Sequence, residues 1–202
     1  MKLFISGWAG FREALEDIPE DWDFICPFID FNEEGILDFL KDKSGDILVG
    51  WSTGGHIVLK NLDFFSDKFS EILIIAGFKK FTQYVSPRIL KKMIQKIQIE
   101  PEIVIKDFLT NAGCAPILPK KIDNISLING LNFLLTSDIH INKSNRQVNC
   151  ELILIHGKKD KIIPPQAIYD LREFYPQAKT YLIDGEHWLT FKKIEKFFYM
   201  PR

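Results

Sequence analysis

The segment DILVGWSTGGH (Asp46–His56) joins a strand-like run to a helical pattern through a glycine-rich turn. Its apolar run Ile47–Trp51 is typical of a buried strand, and residues 54–65 repeat apolar side chains on one helical face. Between strand and helix lies Ser52, in the pattern G-x-S-x-G. This pattern places a serine on a sharp strand-to-helix turn, where small neighbours avoid a collision. It predicts an elbow that presents Ser52 as a nucleophile; a purely structural turn is the alternative.

Outward from this turn, short apolar runs alternate with helical patterns along the chain. Besides Ile47–Trp51, strands are predicted at Lys2–Ser6, Asp23–Ile29, Glu71–Ala76, Leu152–His156 and Thr180–Ile183, and helices at 33–41, 54–65, 165–174 and 189–199. Such alternation predicts an α/β fold with a mainly parallel sheet of about six strands and helices on both faces. In these sheets the chemistry gathers at the carboxyl ends of the strands.

One region departs from the alternation. From about 86 to 147, apolar residues recur at helical spacing without a strand-like run. Pro101 stands where a helix could begin, and Gly113 where one could end. We predict a helical insertion at about 86–147 within a single domain spanning 1–202, because this length suits one hydrophobic core.

Charge is distributed unevenly along the chain. The formal net charge is −1, which does not indicate a nucleic-acid partner. Residues 1–46 carry twelve acidic and four basic side chains, whereas residues 86–147 carry nine basic and five acidic ones. The insertion could therefore face an acidic partner, or it could simply be a solvated surface.

Cysteine usage and hydropathy indicate the environment of the protein. Cys26, Cys114 and Cys150 are odd in number and lack C-x-x-C spacing, which favours a reducing compartment over disulfides or a zinc site. The start MKLFISGWAG does not look like a secretory signal, and no apolar run reaches transmembrane length. We expect a soluble, cytoplasmic monomer without a metal or a membrane partner.

A serine becomes a good nucleophile only when a base takes its proton. We predict His187 as this base, because DGEHWL falls in a loop between the last strand and the last helix. The other candidates are His56 in the helix after the elbow, His140 at the end of the insertion, and His156. We interpret His156 as a packed core residue, since it lies within a predicted strand.

The base in turn needs a carboxylate that orients it. Asp160 in HGKKDKIIP follows the strand Leu152–His156, so it reaches the same edge of the sheet, and we predict it as the acid. Asp184, three residues before His187, is the competitor, although it would have to turn back towards the ring. Asp138 belongs to the insertion.

A tetrahedral intermediate also needs hydrogen-bond donors for its oxyanion. The backbone N–H of Thr53, directly after the serine, is one candidate. The second is the backbone N–H of Trp8, in the loop Gly7–Gly10 that follows the first strand. SGWAG could alternatively be an ordinary flexible turn.

Four segments resemble the α/β-hydrolase superfamily: SGWAG, GWSTGG, GKKDKIIP and GEHWL. Within it, the sequence is most similar to the pimeloyl-[acyl-carrier protein] methyl ester esterases of biotin synthesis, with weaker support from IKDFLTNAG and GLNFLLTSDIH. Ser6 stands where that family has a histidine. The resemblance implies hydrolysis of the methyl ester of pimeloyl-acyl carrier protein by a Ser-His-Asp triad, through an acyl-enzyme and without a cofactor.

The resemblance also assigns a role to the insertion, which would form a lid over the site. Trp8, Trp51 and Phe108 would line a channel for the acyl chain. On the predicted helix, Arg88, Lys92 and Lys96 share one face, so this basic row could dock an acidic acyl carrier protein. Its alternative is a solvated lysine face.

Three other functions fit the same residues. A broad-specificity short-chain carboxylesterase would need no carrier, and a thioesterase would cleave a different bond with the same triad. A non-catalytic binding module could also use this scaffold.

Overall fold

The computed structural model describes residues 1–15, 17–140 and 148–198. Its strands are β1 (Lys2–Ile5), β2 (Asp23–Ile25), β3 (Gly45–Trp51), β4 (Phe69–Ile75), β5 (Glu151–Gly157) and β6 (Lys179–Ile183). They form one six-stranded sheet in the order β2-β1-β3-β4-β5-β6, and every pairing is parallel. The predicted α/β fold with about six mainly parallel strands is confirmed.

Eight α-helices accompany the sheet in the described part of the chain. They are α1 (Glu33–Phe39), α2 (Thr53–Lys60), α3 (Leu62–Ser66), α4 (Pro87–Ile97), α5 (Pro101–Ala112), α6 (Asn124–Thr136), α7 (Gln166–Phe174) and α8 (Phe191–Ile194). Each falls short of the length and apolarity that a bilayer crossing demands.

The sheet has a buried core on each face. Successive side chains of a strand point to opposite faces, so Leu48 of β3 joins the core beneath α1, α2 and α7, whereas Val49 joins the core beneath the insertion and α8. Strands covered on both faces read as continuous apolar runs, which explains the unbroken pattern ILV and LILI in the sequence.

The strand order reverses between β1 and β3. From β1 the chain adds β2 on one side and β3 on the other. Ligand crevices in such sheets form at the reversal, outside the carboxyl ends of the strands. The loop after β1 and the turn after β3 therefore lie side by side, and the Gly54 N–H donates to the Ser6 carbonyl oxygen at 3.0 Å.

The insertion between β4 and β5 contains α4, α5 and α6. Helix α5 begins at Pro101 and ends at Gly113, whose φ of +81° closes the helix in the left-handed region, as predicted. The Trp8 Nε1–H donates to the Leu127 carbonyl oxygen at 2.9 Å, which ties α6 to the loop after β1. Residues 141–147 of the predicted insertion lie outside the described residues.

Three predicted elements differ in length or continuity from the sequence pattern. The strand predicted over Asp23–Ile29 ends at Ile25, because Pro27 has no N–H for a ladder and Phe28 has a φ of +69°. The helix predicted over 54–65 breaks at Asn61, where φ is −113° and ψ is 34° and the side chain donates to Glu33 on α1.

The helix predicted over 189–199 is also shorter. Helix α8 covers one turn, and Glu195–Phe197 continues as a 3₁₀ turn. Tyr199, its predicted last residue, lies outside the described residues.

Candidate active site

Ser52 lies at a strained turn between β3 and α2. Its φ of 51° and ψ of −111° are unusual for a residue with a side chain, and such positions cost about 1–3 kcal/mol. A Cβ on Gly54 would lie 2.2 Å from the Ile5 carbonyl oxygen, and one on Gly50 would lie 2.8 Å from the Gly55 Cα. The flanking glycines therefore let α2 start directly against β1 and β3.

The structure brings Ser52, His187 and Asp160 into one chain of hydrogen bonds. Ser52 Oγ lies 2.9 Å from His187 Nε2, and His187 Nδ1 lies 2.7 Å from Asp160 Oδ2. The carboxylate can only accept, so Nδ1 carries the ring hydrogen and Nε2 is free to take the proton of Ser52. Ser52 is 3% exposed and His187 is fully buried, so water does not screen these contacts.

The carboxylate of Asp160 is held from two directions. Its Oδ1 accepts the N–H groups of Ile162 at 2.8 Å and Ile163 at 2.9 Å. Burial by itself raises the pKa of this carboxyl group, but His187 and a hydrogen bond from His156 lower it more. The pKa of Asp160 therefore lies well below its usual value, and the group stays ionised.

The loop that carries His187 is fixed by the sheet and by the insertion. The Trp51 Nε1–H donates to the His187 carbonyl oxygen at 2.9 Å. The Trp188 N–H donates to the carbonyl oxygen of Ala112, at the end of α5, at 2.7 Å. Helix α5 thus contributes directly to the position of the imidazole.

The other histidines do not reach Ser52 with a ring nitrogen. His56 Nδ1 lies 3.0 Å from the Phe78 carbonyl oxygen and its Nε2 lies 2.8 Å from Ser137 Oγ, while burial lowers the pKa of His56 to about 4. His140 is exposed. His156 is more than the packed core residue that we predicted, because its Nε2 lies 3.0 Å from Asp160 Oδ2.

The competing acids lie elsewhere. Asp184 is exposed and pairs with Lys159 at 2.8 Å, a hydrogen bond that lowers its pKa. Asp138 pairs with Lys80 at 3.3 Å. Neither carboxylate contacts the imidazole of His187 in the described structure.

The two predicted oxyanion donors are neighbours, but one is already engaged. The Trp8 N–H donates to Thr53 Oγ1 at 3.2 Å, so an oxyanion would have to displace this hydroxyl group from it. The Thr53 N–H opens α2, where the first amide groups have no acceptor within the helix. Ser6 donates its hydroxyl hydrogen to the Gly10 carbonyl oxygen and closes the loop.

A mainly apolar cavity of about 270 Å³ lies between the loop after β1 and the insertion. Trp8 and Phe108 line it, and their rings meet edge to face with centroids 4.9 Å apart. Helices α4 and α6 supply further walls. Trp51 does not line it, which corrects our prediction: its side chain is fully buried against His187 and Trp188.

The basic row lies on α4, at the surface. Arg88, Lys92 and Lys96 are exposed, and Lys96 Nζ lies 3.8 Å from the Glu100 carboxylate. Leu90 and Met93 of the same helix line the cavity. One helix thus carries both the predicted docking residues and part of the cavity wall.

Over residues 1–15, 17–140 and 148–198, no group of three or more His, Cys, Asp or Glu side chains has the arrangement of a metal site.

Comparison with known proteins yields relatives only at the level of structure. No family model matches the sequence, and no curated protein matches it. An esterase from Exiguobacterium antarcticum superposes with a TM-score of 0.70 at 16% identity, over 98% of this chain and 89% of that one. A hydrolase from Oleispira antarctica gives 0.64 at 12% identity, over 97% and 89%.

A thermophilic esterase from Thermogutta terrifontis also superposes, with a TM-score of 0.66 at 13% identity, over 97% of this chain and 85% of that one. These identities are too low to carry an activity across, but the overlap is nearly complete. Together with the all-parallel sheet and the turn at Ser52, it shows that the chain has the α/β-hydrolase fold.

Proposed function

We propose that this protein is a serine hydrolase that cleaves carboxylic esters through an acyl-enzyme. The observation that carries the proposal is the continuous chain from Ser52 Oγ to His187 at 2.9 Å and from His187 to Asp160 at 2.7 Å. A serine whose proton faces an oriented, buried imidazole is an activated nucleophile.

In the proposed reaction, Ser52 Oγ attacks the ester carbonyl carbon while its proton passes to His187 Nε2. The Thr53 and Trp8 N–H groups stabilise the oxyanion, and Asp160 stabilises the imidazolium. Collapse breaks the ester C–O bond, and His187 protonates the departing alcohol. Water, deprotonated by His187, then attacks the acyl-enzyme, releases the carboxylic acid and restores Ser52.

We propose, more finely, that the ester is the methyl ester of pimeloyl-acyl carrier protein. The cavity supports an apolar acyl chain: Trp8 lines it and also lies beside the turn at Ser52. At about 270 Å³ it is slightly smaller than the usual site for a drug-sized ligand, which suits a short chain. The basic row on α4 supports an acidic carrier, because α4 joins that surface to the cavity.

A substrate panel tests the finer proposal. We expect kcat/KM to be highest for the carrier-bound methyl ester, lower for the free dimethyl ester of the same acid, and lowest for thioester cleavage on the same carrier. A short-chain carboxylesterase would instead prefer small nitrophenyl esters and gain nothing from the carrier. Faster cleavage of the thioester would make the protein a thioesterase.

Charge reversal on α4 tests the docking surface. We expect Arg88, Lys92 and Lys96 changed together to Glu to lower kcat/KM for the carrier-bound ester by about tenfold or more at low salt, because electrostatic steering is lost. The loss should shrink as salt rises, and a small ester should be cleaved at the wild-type rate.

The matched control reverses Lys192 and Lys193 of α8 and Lys196 of the 3₁₀ turn that follows it, exposed residues whose reversal changes the net charge equally. Equal losses for both triple variants, or equal losses for both substrates, would contradict docking on α4.

A further inference from the structure

His156 ends the apolar run of β5 and is fully buried beside Asp160. Its Nε2 lies 3.0 Å from Asp160 Oδ2 and 3.0 Å from the Ile163 carbonyl oxygen. Both of these neighbours only accept hydrogen bonds, so Nε2 carries the ring hydrogen and shares it between them. The geometry therefore fixes one tautomer of His156.

The other ring nitrogen of His156 has a different environment. Nδ1 is buried and has no hydrogen-bond partner among the described residues. Leaving a polar atom buried and unpaired is costly, and an apolar side chain such as those at Leu154 and Ile155 would avoid that cost. What His156 offers in return is its Nε2–H, which lies 3.0 Å from both the Ile163 carbonyl oxygen and the Asp160 carboxylate.

This hydrogen completes the surroundings of Asp160. Oδ1 accepts two backbone N–H groups from the turn that follows, and Oδ2 accepts from His187 Nδ1 and from His156 Nε2. With four donors around two oxygens, the carboxyl plane cannot rotate without breaking a hydrogen bond. The two histidines approach the same oxygen, His187 Nδ1 at 2.7 Å and His156 Nε2 at 3.0 Å.

We propose that His156 is a positioning residue for the catalytic acid, which extends the relay to His156–Asp160–His187–Ser52. It acts through Asp160 and does not touch the substrate. By donating to Oδ2 it fixes the carboxylate and lowers its tendency to take the proton from His187 Nδ1. The imidazole then keeps the tautomer that leaves Nε2 free for the proton of Ser52. This role rests on the proposed hydrolase activity.

The test compares His156→Gln with His156→Leu. The glutamine amide can place an N–H where Nε2–H lies, whereas leucine of similar size cannot donate. We expect His156→Leu to lower kcat for a small nitrophenyl ester by about 10- to 100-fold at unchanged KM. His156→Gln should keep most of the wild-type kcat. In an Asp160→Asn background, adding His156→Leu should lower kcat little further, because His156 acts only through the Asp160 carboxylate.

The ring ¹⁵N shifts of His187 provide a readout that does not need turnover. We expect the Nδ1–H tautomer in the wild type and in His156→Gln, and a mixture of tautomers in His156→Leu. His56→Leu is the control for losing a buried histidine, and it should lower thermal stability without changing the tautomer or kcat.

Equal losses in the Gln and Leu variants, an unchanged tautomer in His156→Leu, or full additivity with Asp160→Asn would overturn the positioning role. Failure of the hydrolase proposal looks different, since the wild type itself would then turn over no ester and resist a fluorophosphonate.

Discussion

Replacing Ser52 by alanine is expected to lower kcat for any ester substrate by about 10⁶-fold, the loss typical of removing a triad nucleophile. Without Oγ there is no atom to form the acyl-enzyme, and His187 Nε2 loses its partner at 2.9 Å. The fold should survive, because alanine keeps the same Cβ at the strained φ of 51°.

The measurement is steady-state hydrolysis of a nitrophenyl ester together with labelling by a fluorophosphonate. The wild type should be labelled at Ser52 and Ser52→Ala should not. Ser66→Ala is the matched control, since Ser66 is a buried serine whose hydroxyl group only caps a turn at Asp63. Residual labelling at the wild-type rate in Ser52→Ala would mean that another residue is the nucleophile.

The second large effect is expected at Asp160. Changing it to asparagine keeps an oxygen for the N–H groups of Ile162 and Ile163, but the amide can present an N–H to His187 Nδ1, which favours the wrong tautomer. We expect kcat to fall about 10⁴-fold, the loss seen when a triad acid becomes an amide. The control is Asp184→Asn, because Asp184 is exposed and pairs with Lys159. It should keep the wild-type rate.

A stability measurement accompanies this prediction. The depressed pKa of Asp160 means that its ionised form stabilises the fold above the usual aspartate pKa of about 4. That contribution is lost as the pH falls from about 4 towards the depressed value, so the free energy of unfolding should fall more steeply in the wild type than in Asp160→Asn.

A large loss of activity in Asp184→Asn with a normal rate in Asp160→Asn would reverse the assignment of the acid.

Much of the fold followed from local patterns. Two-sided burial makes strands continuous and apolar, so the six strands could be read from the sequence. One element that differs does so beside a tertiary contact: Asn61 interrupts the predicted helix where its side chain donates to Glu33 on α1, and a single-sequence periodicity carries no information about that partner. The strand predicted over Asp23–Ile29 is short for a local reason. It contains Pro27, which has no N–H to donate to a neighbouring strand.

For the candidate site, too, residue identities followed from local patterns, whereas side-chain contacts did not. Ser52, Asp160 and His187 could be identified as candidates from sequence patterns, because a strained turn needs glycines at set offsets and because parallel strands bring the residues after them to one edge. The contacts that each group makes became apparent in the folded structure. Trp51 supports His187 instead of lining the cavity, the Trp8 N–H meets the Thr53 hydroxyl group, and His156 reaches Asp160. These contacts depend on the direction of side chains across the folded sheet, and spacing along a chain does not specify direction.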